Sequence, residues 1–347
     1  MTAVADAINS EELLKLVQEK QITAIQRIEE RAVKAATEKR FKAIDDAIGS
    51  ATSNWVKAFG SMSAEGTGSP LDGLIRSALA ASNSALKGLE GSVISALSEA
   101  VGAAVTTARA QGAAFVEGAS GKAAATKVAA PAVDLSEERA VVKAAVADGA
   151  KESKALLRRP VVERLGLRGI LGGLRRARNA IGRAKSTIAN SVNNNVTKTM
   201  RATATANKAN YEVWVAERDA CVNCLKYAGQ IVKKGQDWTG GQSWDPNQVD
   251  KNAPGVRPPL HPHCRCRPVP WNPAWAKPGE VSLPEAISRE AQRSVARGFS
   301  LASESNASRI RALKELLSGS PDLPKTVVER AQRDLRRGEF ARGRAVP

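Results

Sequence analysis

The sequence predicts a mainly α protein, with an extended helical N-terminal half, a small α+β zinc-binding module and a helical, basic C-terminal extension. Three observations lead there. Apolar residues recur at helical spacing over long stretches. Aromatic residues make up only 4% of a chain that is 43% hydrophobic, so Ala and Val carry most of the apolar content. All four cysteines and both histidines fall between residues 221 and 266. Small side chains bury little area each, so helices built from them pack thinly and lean on partners. Such a composition suits an extended protein inside an assembly better than a compact enzyme.

Residues 1–130 form an Ala-rich helical region. A helix begins at Ser10, an N-cap followed by Glu11 and Glu12, and runs with Leu13, Leu14, Val17, Ile22, Ile25 and Ile28 near helical spacing to about Ile48. Gly49 and Ser50 punctuate it, and Trp55 and Phe59, four apart on a following short helix, make a packing pair. The glycines and proline of 60–70 read as a loop, 71–116 as helix again, and a Gly/Ala/Lys stretch through Pro131 as a linker. Residues 131–185 are a second helical and basic linker region, opened by a capping-box pattern at Asp134 and Glu137, with Ser136 as a rival cap, and interrupted at Pro160. The module spans 186–271: a helix over 186–218 leads into the first cysteine pair, and 229–257 form an irregular loop rich in Gly, Pro, Asn and Asp. In 272–347, Ser282 and Glu285 form a capping box with Pro284 in the first turn, and the basic end from Arg330 to Arg344 is expected to fray.

The formal charge of +17 favours polyanions as partners. Its densest tract is 158–185, where Gly166, Gly169, Gly172 and Gly173 loosen the chain and Glu163 is the single acid. Arg158, Arg159, Arg175, Arg176, Arg178, Arg183 and Lys185 are the candidate contacts to double-stranded DNA or an acidic partner; a solvated helix face is the competing reading. Aromatics are absent from the tract, which favours backbone contact over base stacking. No secretory signal opens the chain. The most apolar region, 93–116, is broken by Glu99 and Arg109, so no membrane span is expected. Synthesis in a cytoplasm follows, and there clustered cysteines favour metal over disulfides.

The donors form two groups, Cys221-Val-Asn-Cys224 and His261-Pro-His-Cys264-Arg-Cys266. A C-x-x-C turn sets two thiolates on one side of a point, and H-x-x-C adds an imidazole and a thiolate with similar geometry, as tetrahedral zinc requires. The best quartet is Cys221, Cys224, His261 and Cys264. Cys266 competes, because on a strand it shares a face with Cys264 while Arg265 and Arg267 point away. The connecting loop has little apolar content, so a metal clamp of about 10–16 kcal/mol would account for its order. Signatures of catalytic zinc are missing: there is no H-x-E…P-C-x-x-C, no H-E-x-x-H and no histidine outside the cluster. No P-loop appears. The site therefore reads as closed and structural, with no small-molecule substrate and no enzymatic role.

Asp219-Ala-Cys221-Val-Asn-Cys224-Leu-Lys-Tyr-Ala-Gly229, a Gly/Pro-rich loop, then Pro258-Pro259-Leu-His261-Pro262-His263-Cys264-Arg265-Cys266 and Pro268-Val-Pro270 follow in that order. This arrangement closely resembles the C-terminal module of the phage head morphogenesis family typified by the F protein of phage Mu, and covers residues 186–271. The resemblance implies a minor capsid protein of the virion, associated with the portal vertex and capsid interior, with portal and capsid proteins as partners. Packaged DNA nearby would rationalise the positive charge. The rival expectation is a zinc-stabilised DNA-binding protein without a capsid role, using the 158–185 tract with Arg265 and Arg267 on phosphates.

Overall fold

The computed structural model describes residues 9–125, 128–129, 131–218, 220–261, 264–276, 278–299 and 304–340. Helix accounts for 68% of the chain and strand for 5%, so the mainly α expectation holds at that level. Eleven helices, α1 (Ser10–Lys15), α2 (Gln21–Phe59), α3 (Gly68–Leu86), α4 (Leu89–Ser120), α5 (Ser136–Leu156), α6 (Arg159–Leu165), α7 (Leu167–Ala206), α8 (Val222–Leu225), α9 (Leu283–Arg297), α10 (Asn306–Ser318) and α11 (Lys325–Arg337), accompany three short strands among the described residues. The strands are β1 (Tyr211–Val215), β2 (Ile231–Lys233) and β3 (Arg267–Trp271).

The chain gathers into two compact units that cut across the four sequence segments. One unit comprises Met1–Gln26, Ala104–Ala132 and Asn193–Pro347; the other comprises Arg27–Ala103 and Val133–Val192. The N-terminal helix thus belongs with the cysteine module rather than with the Ala-rich region. Helices α2, α4 and α7, of 39, 32 and 40 residues, are long enough for each to contribute to both units.

In the unit of 27–103 and 133–192, Ile44, Leu71, Leu89, Val93, Val142, Ile170, Leu174 and Ile181 form the buried apolar surface. Trp55 and Phe59 pair edge to face at 4.7 Å, as their spacing suggests, but on α2 itself: Gly49 and Ser50 lie inside an uninterrupted helix. The expected break at Pro160 is present, with the proline in the first turn of α6, where its missing N–H costs nothing. The glycines after it do not loosen the chain. Gly169, Gly172 and Gly173 lie within α7, and Leu157 sits so close over Gly173 that an added Cβ would stand 2.5 Å from its Cγ. Their role is close approach. Arg40 reaches the carbonyls of Ala85 and Lys87, both at 2.7 Å, and closes the C-terminus of α3 before Gly88 turns the chain into α4.

Two capping assignments move. Asn9, not Ser10, caps α1, its side chain accepting the N–H of Glu12 at 2.9 Å. Asp134 makes no cap to α5; it accepts the N–H of Ser136 at 2.9 Å in a turn just ahead of the helix. The stretch Gly68–Ser120 contains one window apolar enough by length and composition to cross a membrane, with mean hydropathy 1.2 and 44% of it buried within the protein.

The other unit is built around the sheet, ordered β2-β1-β3 and antiparallel throughout. The helix expected over 186–218 stops at Ala206, Lys208 turns the chain with φ 54°, and the alternating Tyr-Glu-Val-Trp-Val becomes the central strand. Pro268 and Pro270 of β3 lie opposite Trp214 and Glu212. Trp214 spends its own N–H and carbonyl on Gln230 and Gly229 on the β2 side, so those prolines occupy positions where β3 owes β1 no N–H. Helices α1 and α9, the end of α4 and α10 cover the sheet, burying Leu13, Val17, Phe115, Trp214, Val269, Leu283, Ile287 and Leu313.

Candidate metal centre

The first donor pair stands on a turn that leaves β1 and enters α8. Cys221 occupies the N-cap position of that four-residue helix. Its neighbours are held from α10 and the turn before it: Glu304 accepts the Val222 N–H at 3.0 Å, Arg309 donates to the Ala220 carbonyl, and Arg309 and Glu304 pair at 2.9 Å. Arg309 is almost wholly buried. The second group precedes β3. The Cys264 N–H bonds the His261 carbonyl at 3.0 Å, closing a turn that lays His261 beside Cys264. Cys266 immediately precedes Arg267, whose pairing with Val215 fixes where the sulfurs stand relative to β1.

Cys221 Sγ lies 3.0 Å and Cys224 Sγ 3.3 Å from His261 Nε2, and Cys224 and Cys264 bring their sulfurs to 3.6 Å. Two overlapping sets, Cys221/Cys224/His261 and Cys224/Cys264/Cys266, each keep their donor atoms within 4.8 Å of one another, so these residues could hold a metal ion. Tetrahedral zinc with bonds near 2.3 Å to sulfur and 2.0 Å to nitrogen has edges of about 3.8 Å between sulfurs and about 3.6 Å between sulfur and nitrogen. The three observed separations fall short of these edges, and the two sets meet at Cys224. The space enclosed by Glu217, Ala220, Arg265 and the donors is only about 10 Å³, roughly one water-sized sphere.

Electrostatics point the same way. Hydrogen bonding with Cys224, aided by His261, lowers the Cys221 thiol to about 6. Hydrogen bonds with Cys224 and then Cys266 hold Cys264 far below the usual thiol value. Cys224 is driven up by its hydrogen bonds to Cys221, Cys264 and Cys266 and by burial. Cys266 gains a hydrogen bond with Cys224, but its contact with Cys264 and complete burial push it well up. Four thiols this close cannot all ionise against one another. A cation held among them would remove the conflict.

The alternation expected at 264–266 is present: Cys264 and Cys266 share the buried side, and Arg265 turns to Glu217 at 2.7 Å. Arg267 departs from expectation. It is buried, donates to the Val17 carbonyl, and burial lowers its guanidinium to about 10. Neither arginine is therefore placed to reach phosphates. His263 lies outside the described residues. The loop after Gly229 also differs from its sequence reading, because it has fastenings of its own. Trp238 is fully buried, meets Trp214 at 5.3 Å and exchanges both backbone hydrogen bonds with Val256. Gly241, at φ 63°, lies so near the Asp250 carbonyl that a Cβ would stand 2.5 Å from its oxygen.

The seven basic candidates do not converge. Arg159 pairs with Asp72 and Glu163, Arg176 with Glu152, Arg178 with Asp45 and over the Phe41 ring, and Arg183 with Asp148. Arg158, Arg175 and Lys185 are exposed. At about 100° per residue, Arg176 and Arg183 mark one edge of α7, and Arg178 and Lys185 the opposite edge. Arg176, Arg178 and Arg183 bind the helix to α5 and α2, a use the composition of the tract alone does not reveal. The site residues that sequence reasoning missed are Glu217, Glu304 and Arg309; no local pattern marks them. Comparison with protein-family models, curated proteins and solved structures returns no match to this chain.

Proposed function

We propose that the chain is a structural component of a phage virion, a minor head protein whose zinc-bound module serves as a rigid docking unit at the portal vertex and capsid interior. The observation that carries this reading is the meeting of two cysteine turns, nearly 40 residues apart, around one point. Their residues stand in the order that marks the head morphogenesis family. Cys and His donors gathered this closely suit zinc above harder metals. Bound there, the ion would supply rigidity: it would tie α8 to the base of β3 and so present one fixed surface. The cramped enclosure, walled by Ala220 and the Glu217–Arg265 pair, supports a structural rather than a catalytic ion.

In this reading portal and capsid proteins are the partners, and the chain is made in the host cytoplasm before assembly. Mass spectrometry of DNA-filled particles, produced from the replicon that carries this gene, provides the test. The chain should be found at a few copies per particle and should remain with portal-containing fragments after the DNA is released. Purified particles containing portal and major capsid protein but none of this chain would overturn the assignment.

A further inference from the structure

The basic end of the chain is not frayed through Arg337. Helix α11 is ordered and two-sided: Val327, Ala331, Asp334 and Leu335 turn inward, and the helix packs on α9 and α10. Arg330, Arg333, Arg336 and Arg337 are exposed. At helical spacing they fall within about 120° of the circumference, along roughly 10 Å of axis. The helix is fastened at both ends. Asp322 pairs with Arg289 at 2.8 Å ahead of it, Asn306 donates to the Gly338 carbonyl at 3.0 Å after it, and the Phe340 ring lies against Gly298.

Carboxylates of α9, α10 and the turn before α10 are occupied elsewhere. Glu304 serves Arg309 and Val222, Glu315 serves Lys226, and Glu290 serves Arg218. Glu329, exposed within the same arc, stands 4.0 Å from Lys325, and Asp334 is buried. Glu329 and Glu339 are the exposed acids of the α11 segment, against four exposed arginines, and α10 adds exposed Arg311 and Lys314.

We propose that this arginine face of α11 is a docking surface for double-stranded DNA, bound through its phosphates without base readout. This places the DNA contact at 330–337 rather than in the 158–185 tract, where four of the eight arginines pair with Asp45, Asp72, Asp148 and Glu152. A duplex carries about one charge per 1.7 Å of axis, so a 10 Å row of guanidinium groups meets several phosphates at once. No large hydrophobic residue is exposed on α11, so the face lacks both the apolar wedge a membrane surface needs and the aromatic platform that holds single strands. The inference does not rest on the virion reading, since the surface would act in either setting.

The test uses the full chain, a 30-base-pair duplex of random sequence as probe, and fluorescence anisotropy over a series of salt concentrations. Replacing Arg330, Arg333, Arg336 and Arg337 together with Gln should weaken binding by more than about tenfold and flatten the log K against log salt slope by about 3–4. Replacing the same four with Lys should preserve both, which separates lost charge from lost folding. A matched variant of the other tract, with Arg158, Arg168, Arg175 and Lys185 changed to Gln, should stay within about twofold of the parent. An unchanged slope in the α11 Gln variant would overturn the proposal. So would comparable binding of the parent to phosphatidylserine vesicles, lost in the same variant.

Discussion

Glu315 does more than its place in a leucine-rich helix suggests. It meets Lys226 at 3.1 Å with both oxygens, takes the Ser243 hydroxyl, and accepts the Trp244 N–H at 2.9 Å, joining α10 to the turn beyond Cys224 and to the long loop. Burial alone would raise its carboxyl, but the hydrogen bonds from Ser243 and Lys226, the Lys226 charge and the Trp244 N–H outweigh that and hold it below the usual carboxylate range. A carboxyl depressed in the folded state adds stability that is fully present above its unfolded value and is lost as pH falls through the folded one. Glu315→Gln should therefore cost about 2 kcal/mol at neutral pH. That gap from the parent should close in acid, below the carboxylate range, when urea unfolding is followed across pH; a gap independent of pH would contradict this role. Such residues explain why part of the site was illegible. Cys221, Cys224, His261, Cys264 and Cys266 announce themselves by type and spacing. Glu217, Glu304, Arg309 and Glu315 are ordinary charged residues that each bond a partner 48 to 89 positions away in sequence, and no periodicity encodes such pairs.

At the scale of elements, the helices were legible from apolar spacing and their boundaries were not. Two kinds of error stand out, and both have a physical origin. Glycine read as punctuation at Gly49 and Gly173 lies inside helices, because tertiary packing outweighs a propensity loss of about 1 kcal/mol. Strand β1, five residues long, was absorbed into the helix before it, since a short apolar run carries either periodicity until pairing with β2 and β3 decides. The glycines of α7 give a paired test. Gly173 has the buried Leu157 side chain against it on three atoms, whereas a Cβ at Gly182 meets nothing within 4 Å. Gly173→Ala should destabilise the protein by about 1–2 kcal/mol, as overpacking exceeds the helix-propensity gain. Gly182→Ala should stabilise it by about 0.5–1 kcal/mol. Denaturant unfolding followed by circular dichroism measures both, and equal effects of one sign would show that packing at Gly173 does not set its identity.

At the scale of the whole molecule, the surplus of cations divides by use. In the unit of 27–103 and 133–192, arginines tie long Ala-rich helices together through Asp45, Asp72, Asp148 and Glu152. In the unit that carries the sheet, Arg309 and Arg267 brace the surroundings of the sulfurs from within, and α11 holds its arginines outward. A sequence with few aromatics builds each unit from thin helices, and the sheet unit gathers five of the six tryptophans, four of them in or against the strands and loop beside the cysteines. The docking unit proposed here turns on one ion joining the two cysteine turns. X-ray absorption at the zinc edge, on full-length protein purified with zinc and without added chelator, examines that directly. One zinc per chain should appear, in a four-coordinate shell of sulfur, or of sulfur with one imidazole nitrogen, with sulfur at about 2.3 Å; Cys224→Ser should abolish it. Protein that carries no stoichiometric metal, or a shell of light oxygen and nitrogen donors without sulfur, would contradict the account.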